Sequence, residues 1–297
     1  MVKTTKYKEM IKTYHLNDEE YPEKLRLIKK PPEKIDVIGT LPDPDKPTVA
    51  IVGARNCSDY GTTIAKSVAR SLSMNGVQVI SGLALGIDCS AHIGAIEAKA
   101  KTFAVLGSGV NVCYPTYTFN IYEKIIEFGG GIISELNVDT EPLPYNFPLR
   151  NRIISGLSDV VLIVEAKNSS GALITCEYGL EQGKDIFAVP GRVGDLLSMG
   201  TNNLIKQGAY IMTCIEDLYE RLGVVCDSRL TVDEKNIEKL DYFEKLVYSN
   251  LSFESKHIDE IIINTKLPLE KCINTLMSLQ INGFVECPRM NYYRVAG

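Results

Sequence analysis

The chain has 297 residues, of which 45% are hydrophobic and 23% are charged, which is enough for one large domain and a small second one. A net charge of −5 excludes a surface coated in positive charge, so any contact with a nucleic acid requires a local basic site. The longest apolar runs, such as residues 160–164, are far shorter than the roughly 20 residues that cross a bilayer. Residues 1–12 are lysine-rich and lack the apolar core of a secretory signal, so we expect a cytoplasmic protein without a membrane segment.

After a short N-terminal segment, residues 1–46, apolar runs rich in β-branched residues alternate with amphipathic stretches of helical length. This alternation predicts an α/β domain over residues 47–226, with a doubly wound, mostly parallel sheet. The predicted strands are 48–52, 77–80, 102–106, 131–134, 159–164, 185–189 and 209–212. The predicted helices are 62–75, 86–99, 118–128, 147–157, 171–182 and 202–206. Because ligands bind beyond the carboxyl ends of such strands, the loops after the strands are the candidate sites.

The first of these loops contains Gly53 and Arg55, and the next glycine is Gly61, so the GxGxxG fingerprint of dinucleotide-binding proteins is absent. The loop leads into a helix N-terminus, which favours an anion. We therefore predict that Gly53 and Arg55 contact an anionic ligand. A surface salt bridge of Arg55 is the alternative interpretation.

Two further loops are rich in glycine or hydroxyl groups and could bring a ligand close to main-chain amides. The first loop follows the third strand, and the backbone conformation of a turn would explain its glycines equally well. The predicted ligand contacts of these loops are Gly107, Ser108, Gly109, Ser170, Gly171 and Thr175. Lys184, just before the next strand, is a further candidate, although a lysine in such a turn is usually solvated.

Residues 145–155 carry the sharpest signal. Asn146 can cap the predicted helix, which places Arg150 and Arg152 near the positive end of the helix dipole. Cations are unfavourable there unless an anion binds between them, and guanidinium groups suit phosphate while Phe147 can stack on a base. In the alternative interpretation Phe147 packs in the core, Arg150 pairs with a carboxylate and Arg152 is solvated.

No catalytic residues, metal ligands or cofactor are predicted. The eight cysteines are scattered, without a CxxC pair or a histidine at ligand spacing. No nucleophile, base and orienting residue occur at a recognisable spacing. Asp88 and His92 lie one helical turn apart and could form a general base, but a capping carboxylate beside a structural histidine is the favoured interpretation.

The last part of the chain predicts a separate small domain. Residues 227–236 are polar, without apolar periodicity, and indicate a linker. In residues 237–297, three helical patterns precede a hairpin, which is typical of a winged helix-turn-helix domain. The predicted elements are the helices 237–250, 257–264 and 269–282 and the strands 284–287 and 292–295.

The loop and helix motifs also resemble the DNA processing protein A family, known as DprA or Smf. The matching stretches fall within residues 48–222, and the run NFPLRNRIISGLS at residues 146–158 is the most specific of them. The resemblance implies an extended Rossmann fold that binds single-stranded DNA without enzymatic turnover, forms homodimers, and helps load the RecA recombinase in natural transformation. The DNA contacts that it implies are Arg55, Phe147, Arg150, Asn151 and Arg152.

The resemblance also suggests where two copies meet, because self-association in the family lies near the end of the sheet. We expect a dimer contact around Leu204, Ile205 and Ala209. Two departures from the family are visible. Thr116 stands where many members carry a basic residue, and only residues 1–13 precede the matching segment, so the family's N-terminal helical domain is expected to be largely absent.

Two other functions compete with this interpretation. Phosphoribohydrolases of the lysine-decarboxylase-like type share the Rossmann variant. They carry a Pro-Gly-Gly-x-Gly-Thr-x-x-Glu run, whose glycines form a cradle for the ligand. Residues 169–177, the equivalent stretch here, keep few of those glycines. A transcription factor would read duplex DNA with the winged helix. Residues 238–297 hold seven basic against eight acidic residues, which favours a contact with protein over one with duplex DNA.

Overall fold

The computed structural model describes residues 1–4, 6–225 and 240–295. It divides into two compact units, Met1–Cys226 and Asp227–Gly297. The predicted linker, residues 227–236, lies outside the described residues, as do residues 237–239 at the start of the predicted small domain. Within the described ranges, no helix combines the length and apolarity that a membrane crossing requires.

The first unit is built from strands that alternate with helices, as the sequence pattern predicts. The strands are β1 (Val2–Lys3), β2 (Ile11–His15), β3 (Lys34–Gly39), β4 (Thr48–Val52), β5 (Gln78–Ser81), β6 (Thr102–Val105), β7 (Val112–Cys113), β8 (Gly131–Ser134), β9 (Val160–Ile163), β10 (Asp185–Ala188) and β11 (Tyr210–Ile211). The helices are α1 (Glu23–Arg26), α2 (Asp59–Met74), α3 (Ile87–Glu97), α4 (Phe119–Glu127), α5 (Asn146–Gly156), α6 (Gly171–Glu181), α7 (Met199–Lys206) and α8 (Glu216–Leu222).

Nine of these strands form one sheet in the order β11-β10-β9-β4-β5-β6-β8-β3-β2. From β11 to β8 all neighbours are parallel, and β3 and β2 add an antiparallel edge. The predicted α/β fold with a mostly parallel sheet is therefore confirmed. Residues 1–46, predicted as a segment in front of the domain, supply β2 and β3 to this same sheet.

Strand β4 shows why the sheet is covered on both sides. All five of its residues are buried. Val49 and Ile51 belong to one core cluster with α2 and α3, whereas Ala50 and Val52 belong to another with α5 and α6. A strand that is apolar on both faces forms only where helices pack on both, which is the doubly wound arrangement.

The strand order reverses between β4 and β9. Chain segments after β4 continue through β5, β6 and β8 on one side, while β9, β10 and β11 follow on the other. Loops leaving the carboxyl ends of β4 and β9 therefore run in opposite directions and leave a crevice between them. This crevice is where the fold places a ligand site.

The second unit contains three helices, α9 (Tyr242–Ser249), α10 (Ile258–Thr265) and α11 (Leu269–Ile281). A three-stranded antiparallel sheet packs with them, in the order β12-β14-β13. Its strands are β12 (Lys256–His257), β13 (Val285–Arg289) and β14 (Tyr292–Val295). The predicted hairpin and the second and third predicted helices lie within about two residues of these elements. The assignment as a winged helix-turn-helix domain stays a prediction.

Candidate functional site

A cavity of about 590 Å³ lies in the crevice between the carboxyl ends of β4 and β9. Three structural features form its walls: the loop after β4, the loop after β9, and the first turns of α5. The predicted site residues that line it are Gly53, Arg55, Phe147, Arg150, Asn151, Ser170, Gly171 and Thr175. The structure therefore brings together residues from three separate motifs of the sequence.

The exposed Arg55 and the half-buried Phe147 lie together in the cavity wall. The guanidinium carbon of Arg55 lies 5.4 Å from the centre of the Phe147 ring, which is a cation–π arrangement. Among the described residues Arg55 is exposed and makes no ion pair, so the salt bridge considered for it is not found there. Its charge is therefore available to an anionic ligand.

The Phe147 ring is held in place by its neighbours. Tyr114 lies 5.9 Å away between ring centres, at a tilt of 44°. Below the ring, a Cβ atom on Gly107 would stand 2.7 Å from Phe147 Cδ1, so only glycine leaves room for the ring. Gly107 thus contributes to the site through Phe147.

Ser108 and Gly109 serve the turn itself and do not line the cavity. Ser108 is buried, and its hydroxyl donates a hydrogen bond of 2.7 Å to Val112 O. A Cβ atom on Gly109 would lie 2.2 Å from the carbonyl oxygen of Asn137, so the chain is too close there for any side chain. Their predicted ligand contacts are corrected, because the hydroxyl is already used and the glycine is enclosed.

The loop after β9 adds a cation that the sequence analysis missed. Lys167 is exposed, lines the cavity, and makes no ion pair among the described residues. It stands two residues before the loop motif that begins at Ser169. In the sequence, only its position in a loop at the carboxyl end of a strand could have indicated it. Together with Arg55 it gives the cavity two exposed positive charges.

The N-terminus of α6 completes this wall. Ser170 caps the helix, with its hydroxyl accepting a hydrogen bond of 3.4 Å from Ala172 N. Gly171 faces open space, so a ligand can approach its backbone closely. Thr175 lines the same wall, but it is buried. Ala172 N and Leu173 N already bond to Ser170, so the positive end of the helix dipole, together with Gly171 N, favours an anion beside Arg55 and Lys167.

The N-terminus of α2, by contrast, already holds a carboxylate of the chain itself. Glu165 is buried; its Oε2 accepts 2.9 Å from Ser58 N and its Oε1 accepts 2.5 Å from Ser58 Oγ. A Cβ atom on Gly61 would lie 2.4 Å from Oε2, so glycine at this position makes room for the carboxylate. An internal anion thus fills the place where the first turn of a Rossmann fold usually receives phosphate.

Arg150 is a structural residue of the cavity floor. It is 4% exposed, and Nη1 donates to Val105 O and, at 2.8 Å, to Gly82 O. Nε donates 3.2 Å to Asn151 Oδ1, and Asn151 Nδ2 in turn donates 3.2 Å to Gly171 O. Arg150 lines the cavity floor with a nearly enclosed guanidinium whose Nε and Nη1 donate inside the protein, and its predicted phosphate contact stays a prediction.

Asp88 supplies the negative charge that accompanies Arg150. Its Oδ2 accepts from Gly82 N at 3.2 Å and from Ala84 N at 3.4 Å. Burial raises the pKa of Asp88 to about 6, although the nearby Arg150 charge acts in the opposite direction. Burial likewise lowers the pKa of Arg150 to about 10, while Asp88 raises it. Each charge therefore favours the charged form of the other, and both side chains bond to Gly82, which links α3 to α5.

Arg152 points away from this cavity. Its Nη1 and Nη2 donate 2.6 and 2.5 Å to the two carboxylate oxygens of Glu135, and Nε donates 3.0 Å to Lys30 O. Arg152 lines a second cavity on the other face of α5. The predicted phosphate contact in the first cavity is therefore corrected, since the side chain lies elsewhere and is already paired.

Lys184 also lies apart from the cavity. It directly precedes β10, so it stands at the amino end of the parallel strands, opposite the carboxyl ends where the cavity opens. Burial lowers the pKa of Lys184, and the charges that act on it are those of Asp159 and Lys24. The structure therefore does not join Lys184 to the other predicted site residues.

A family model for DNA recombination-mediator protein A matches residues 12–223. The chain belongs to this family. Protein Smf of Escherichia coli (strain K12) is 35% identical over 285 residues, which covers 94% of this chain and 76% of that protein. DprA of Streptococcus pneumoniae is 39% identical over 208 residues, with 69% and 72% covered. The resemblance found in the sequence is therefore confirmed.

Two solved structures of the family share the fold. The crystal structure of Streptococcus pneumoniae DprA superposes with a TM-score of 0.66 at 37% identity, covering 72% of this chain and 76% of that one. DprA of Helicobacter pylori, whose structure concerns its single-stranded DNA binding mode, gives a TM-score of 0.65 at 31% identity, covering 71% and 95%. The chain therefore shares the fold of this recombination-mediator family.

His92, the other half of the candidate general base, is a structural residue in this family member. It is fully buried, and its Nδ1 lies 2.8 Å from Thr102 Oγ1. Burial lowers the pKa of His92 to about 3, so the imidazole is neutral at physiological pH. The favoured interpretation, a carboxylate bonded to backbone amides and a structural histidine, describes Asp88 and His92 correctly.

This burial predicts acid sensitivity. A histidine whose folded pKa is lowered from 6.5 to about 3 contributes stability above pH 6.5, and that contribution is lost as the pH falls towards 3. Between pH 7 and pH 4.5 the free energy of unfolding of the wild type should fall by roughly 2–3 kcal/mol relative to that of His92→Gln. Urea unfolding of both proteins at the two pH values measures this. An equal difference at both pH values would contradict it.

Proposed function

We propose that this protein binds single-stranded DNA in the cavity between β4 and β9 and mediates recombination without catalysing a reaction. Arg55, Lys167 and the N-terminus of α6 contact phosphates, and Phe147 stacks on a base. The observation that carries this proposal is an exposed arginine, with no ion pair among the described residues, positioned over the half-buried ring of Phe147 in the cavity wall. The relative from Helicobacter pylori, 31% identical, supports the same ligand.

The charges around the cavity favour a polyanion. The chain as a whole carries −5, so a strand is not attracted by the overall charge. Arg55 and Lys167 nevertheless remain exposed on one wall, next to the N-terminus of α6. Fixed positive groups that converge on one crevice give the phosphates of a bound strand specific positions.

The shape of the site favours single strands over duplexes. Stacking on Phe147 requires a base with a free face, and the bases of a duplex already stack on each other. A cavity of about 590 Å³ can admit an unpaired nucleotide. A double helix is too large to enter it, since its major groove alone is about 12 Å wide. We therefore expect a clear preference for unpaired DNA.

The rival enzyme needs a phosphate cradle and an accessible catalytic carboxylate. Here Glu165 fills the N-terminus of α2, and Asp88 is buried against Arg150. Incubation of the protein with nucleoside monophosphates is therefore expected to release no free base above the buffer rate, as measured by chromatography. Base release that disappears in Asp88→Asn or Glu177→Gln would replace the proposed function with the hydrolase.

Arg55 and Phe147 should affect DNA binding in different ways. Arg55→Ala removes one phosphate contact, so it should weaken binding to all sequences and lower the salt slope of the affinity by about one. Phe147→Ala removes a stacking contact worth roughly 1–3 kcal/mol, with little change in the salt slope. Titration of labelled oligo-dT at several salt concentrations, with a melting curve for each variant, measures both effects.

Arg221 is the matched control for Arg55. It lies at the same distance, 5.4 Å, from the ring centre of Tyr210, but it is paired with Asp185 at 2.6 Å and does not line the cavity. Arg221→Ala changes the net charge equally and should leave DNA binding nearly unchanged. Equal losses in the two arginine variants, or equal affinity of the wild type for duplex and single strand, would contradict the proposal.

We further propose that the protein acts as a homodimer and passes the strand to the RecA recombinase, which membership of a recombination-mediator family supports. Strand β11 is one edge of the sheet, and its two residues are 47% and 46% exposed. Of the predicted dimer residues, Leu204 and Ala209 pack partly on their own core, and Ile205 is half-buried. Ile205 and the edge strand are thus the best candidates for the contact.

The dimer face can be tested by mass in solution. Ile205→Asp places a charge at the proposed contact, so the mass should fall from that of a dimer to that of a monomer in light scattering. Met10→Asp is the control, because Met10 is 48% exposed and lies directly before β2 at the opposite edge of the sheet. An unchanged mass for Ile205→Asp would show that this face is wrong.

A further inference from the structure

A second cavity, of about 440 Å³, lies against the face of α5 opposite to the DNA cavity. The two cavities divide the helix between them: Phe147 and Asn151 face the first, whereas Leu149 and Arg152 face the second. Only Arg150, in the floor between them, lines both. No part of the proposed function uses this second cavity.

Its walls combine apolar surface with one unsatisfied polar atom. The apolar residues are Ile28, Leu106, Leu136 and Leu149. Gln182 donates from Nε2 to Arg152 O at 3.0 Å, but its Oε1 is buried and has no hydrogen-bond partner among the described residues. A buried acceptor without a partner is costly, so this site is suited to a ligand that donates a hydrogen bond.

The second cavity has a neutral interior and a rim that carries two lysines, Lys29 and Lys30, and one acidic residue, Glu181. Inside, Arg152 and Glu135 neutralise each other at 2.5 Å, with side chains only 13% and 22% exposed. At the rim, Lys29 and Lys30 are exposed and make no ion pair among the described residues. A ligand that fits has a flat, uncharged body with N–H donors and a negative group outside, which is the chemistry of a nucleotide.

The two cavities are also connected across a short, exposed ridge. Tyr145, directly before α5, is 63% exposed, and Leu149, one turn into the helix, is 51% exposed. An α-helix with its side chains is about 10–12 Å across, a distance that a few nucleotides of extended strand can span. The exposed ring of Tyr145 on this ridge is a surface on which a base can stack.

We propose that the second cavity binds another base of the same DNA strand that occupies the first. The strand crosses the N-terminal turn of α5, a donor on the Watson–Crick edge of the base bonds to Gln182 Oε1, and Lys29 and Lys30 contact the phosphates. Every base carries an N–H donor on that edge, so this subsite lengthens the footprint without selecting a sequence. The inference rests on the proposed function, because it takes the first cavity as the DNA site.

A comparison of short and long oligonucleotides tests this proposal. Oligo-dT of about 4 nucleotides should fill only the first cavity, whereas one of about 16 nucleotides should reach the second. Leu149→Trp fills the second cavity from an exposed position, and Lys29→Glu with Lys30→Glu reverses the charge of its rim. Both variants should lower the affinity for the long oligonucleotide roughly tenfold and change the affinity for the short one by less than about twofold. Gln182→Leu should weaken only the long one, by a smaller factor.

The charge change has a matched control on the same chain. Lys99 and Lys101 are also exposed and lie close together, but they precede β6 at the amino end of the strands. The double change to Glu there alters the net charge by the same amount and should affect the long oligonucleotide by less than about twofold. A larger loss in this control would show that overall charge explains the result, and would overturn the subsite.

The outcomes separate this inference from the proposed function. If the wild type binds neither oligonucleotide, both are wrong. If the wild type binds both, and Arg55→Ala weakens both, but Leu149→Trp leaves the long one unchanged, only the second subsite is wrong. Saturable binding of deoxyadenosine monophosphate that Leu149→Trp abolishes, without any loss for the long oligonucleotide, would assign the cavity to a free nucleotide and overturn the strand as its occupant.

Discussion

The site depends on one buried guanidinium group. Arg150 has almost no contact with water, so each N–H that loses its hydration must be compensated inside the protein. The compensation comes from two carbonyls and from the charge of Asp88. One carbonyl belongs to Gly82, directly after β5, and the other to Val105, the last residue of β6. This arrangement fastens the first turns of α5 over the strand ends. The position of Phe147, one turn earlier on the same helix, follows from that anchoring.

In the proposed site, charged side chains contact the ligand, and the backbone amides at the N-terminus of α2 do not. In many Rossmann folds the turn after the first parallel strand binds phosphate with backbone amides. Here Glu165 occupies those donors at the N-terminus of α2. Arg55 and Lys167 remain available, and the N-terminus of α6 lies beside them in the cavity wall. Such a site holds phosphates along a wall instead of enclosing one, which suits a polymer better than a mononucleotide.

The sequence predicted the parallel strands because their apolar runs are local features, but it could not show what covers each arginine. Arg150 and Arg152 share one helix, and a two-residue spacing places them on different sides without revealing their neighbours. The partners are Asp88 and Glu135, which lie far away along the chain. Strand β3 was missed for a similar reason, because its pairing with β8 joins segments almost a hundred residues apart. Local sequence patterns therefore indicate where the candidate site lies. Which residues line it, and which are paired elsewhere, depends on contacts that only the fold shows.

The proposed function requires a chain of net charge −5 to hold a polyanion. Screening limits attraction between exposed charges to about 8–10 Å at physiological salt, so distant acidic residues oppose binding only weakly. What matters is the charge at contact distance, where Arg55 and Lys167 stand without ion pairs among the described residues, while Arg152 is neutralised by Glu135. The same screening means that overall charge cannot draw a duplex to the surface. The proposed selectivity for unpaired DNA therefore rests on stacking and fit around α5, because those are the interactions that a double helix cannot make.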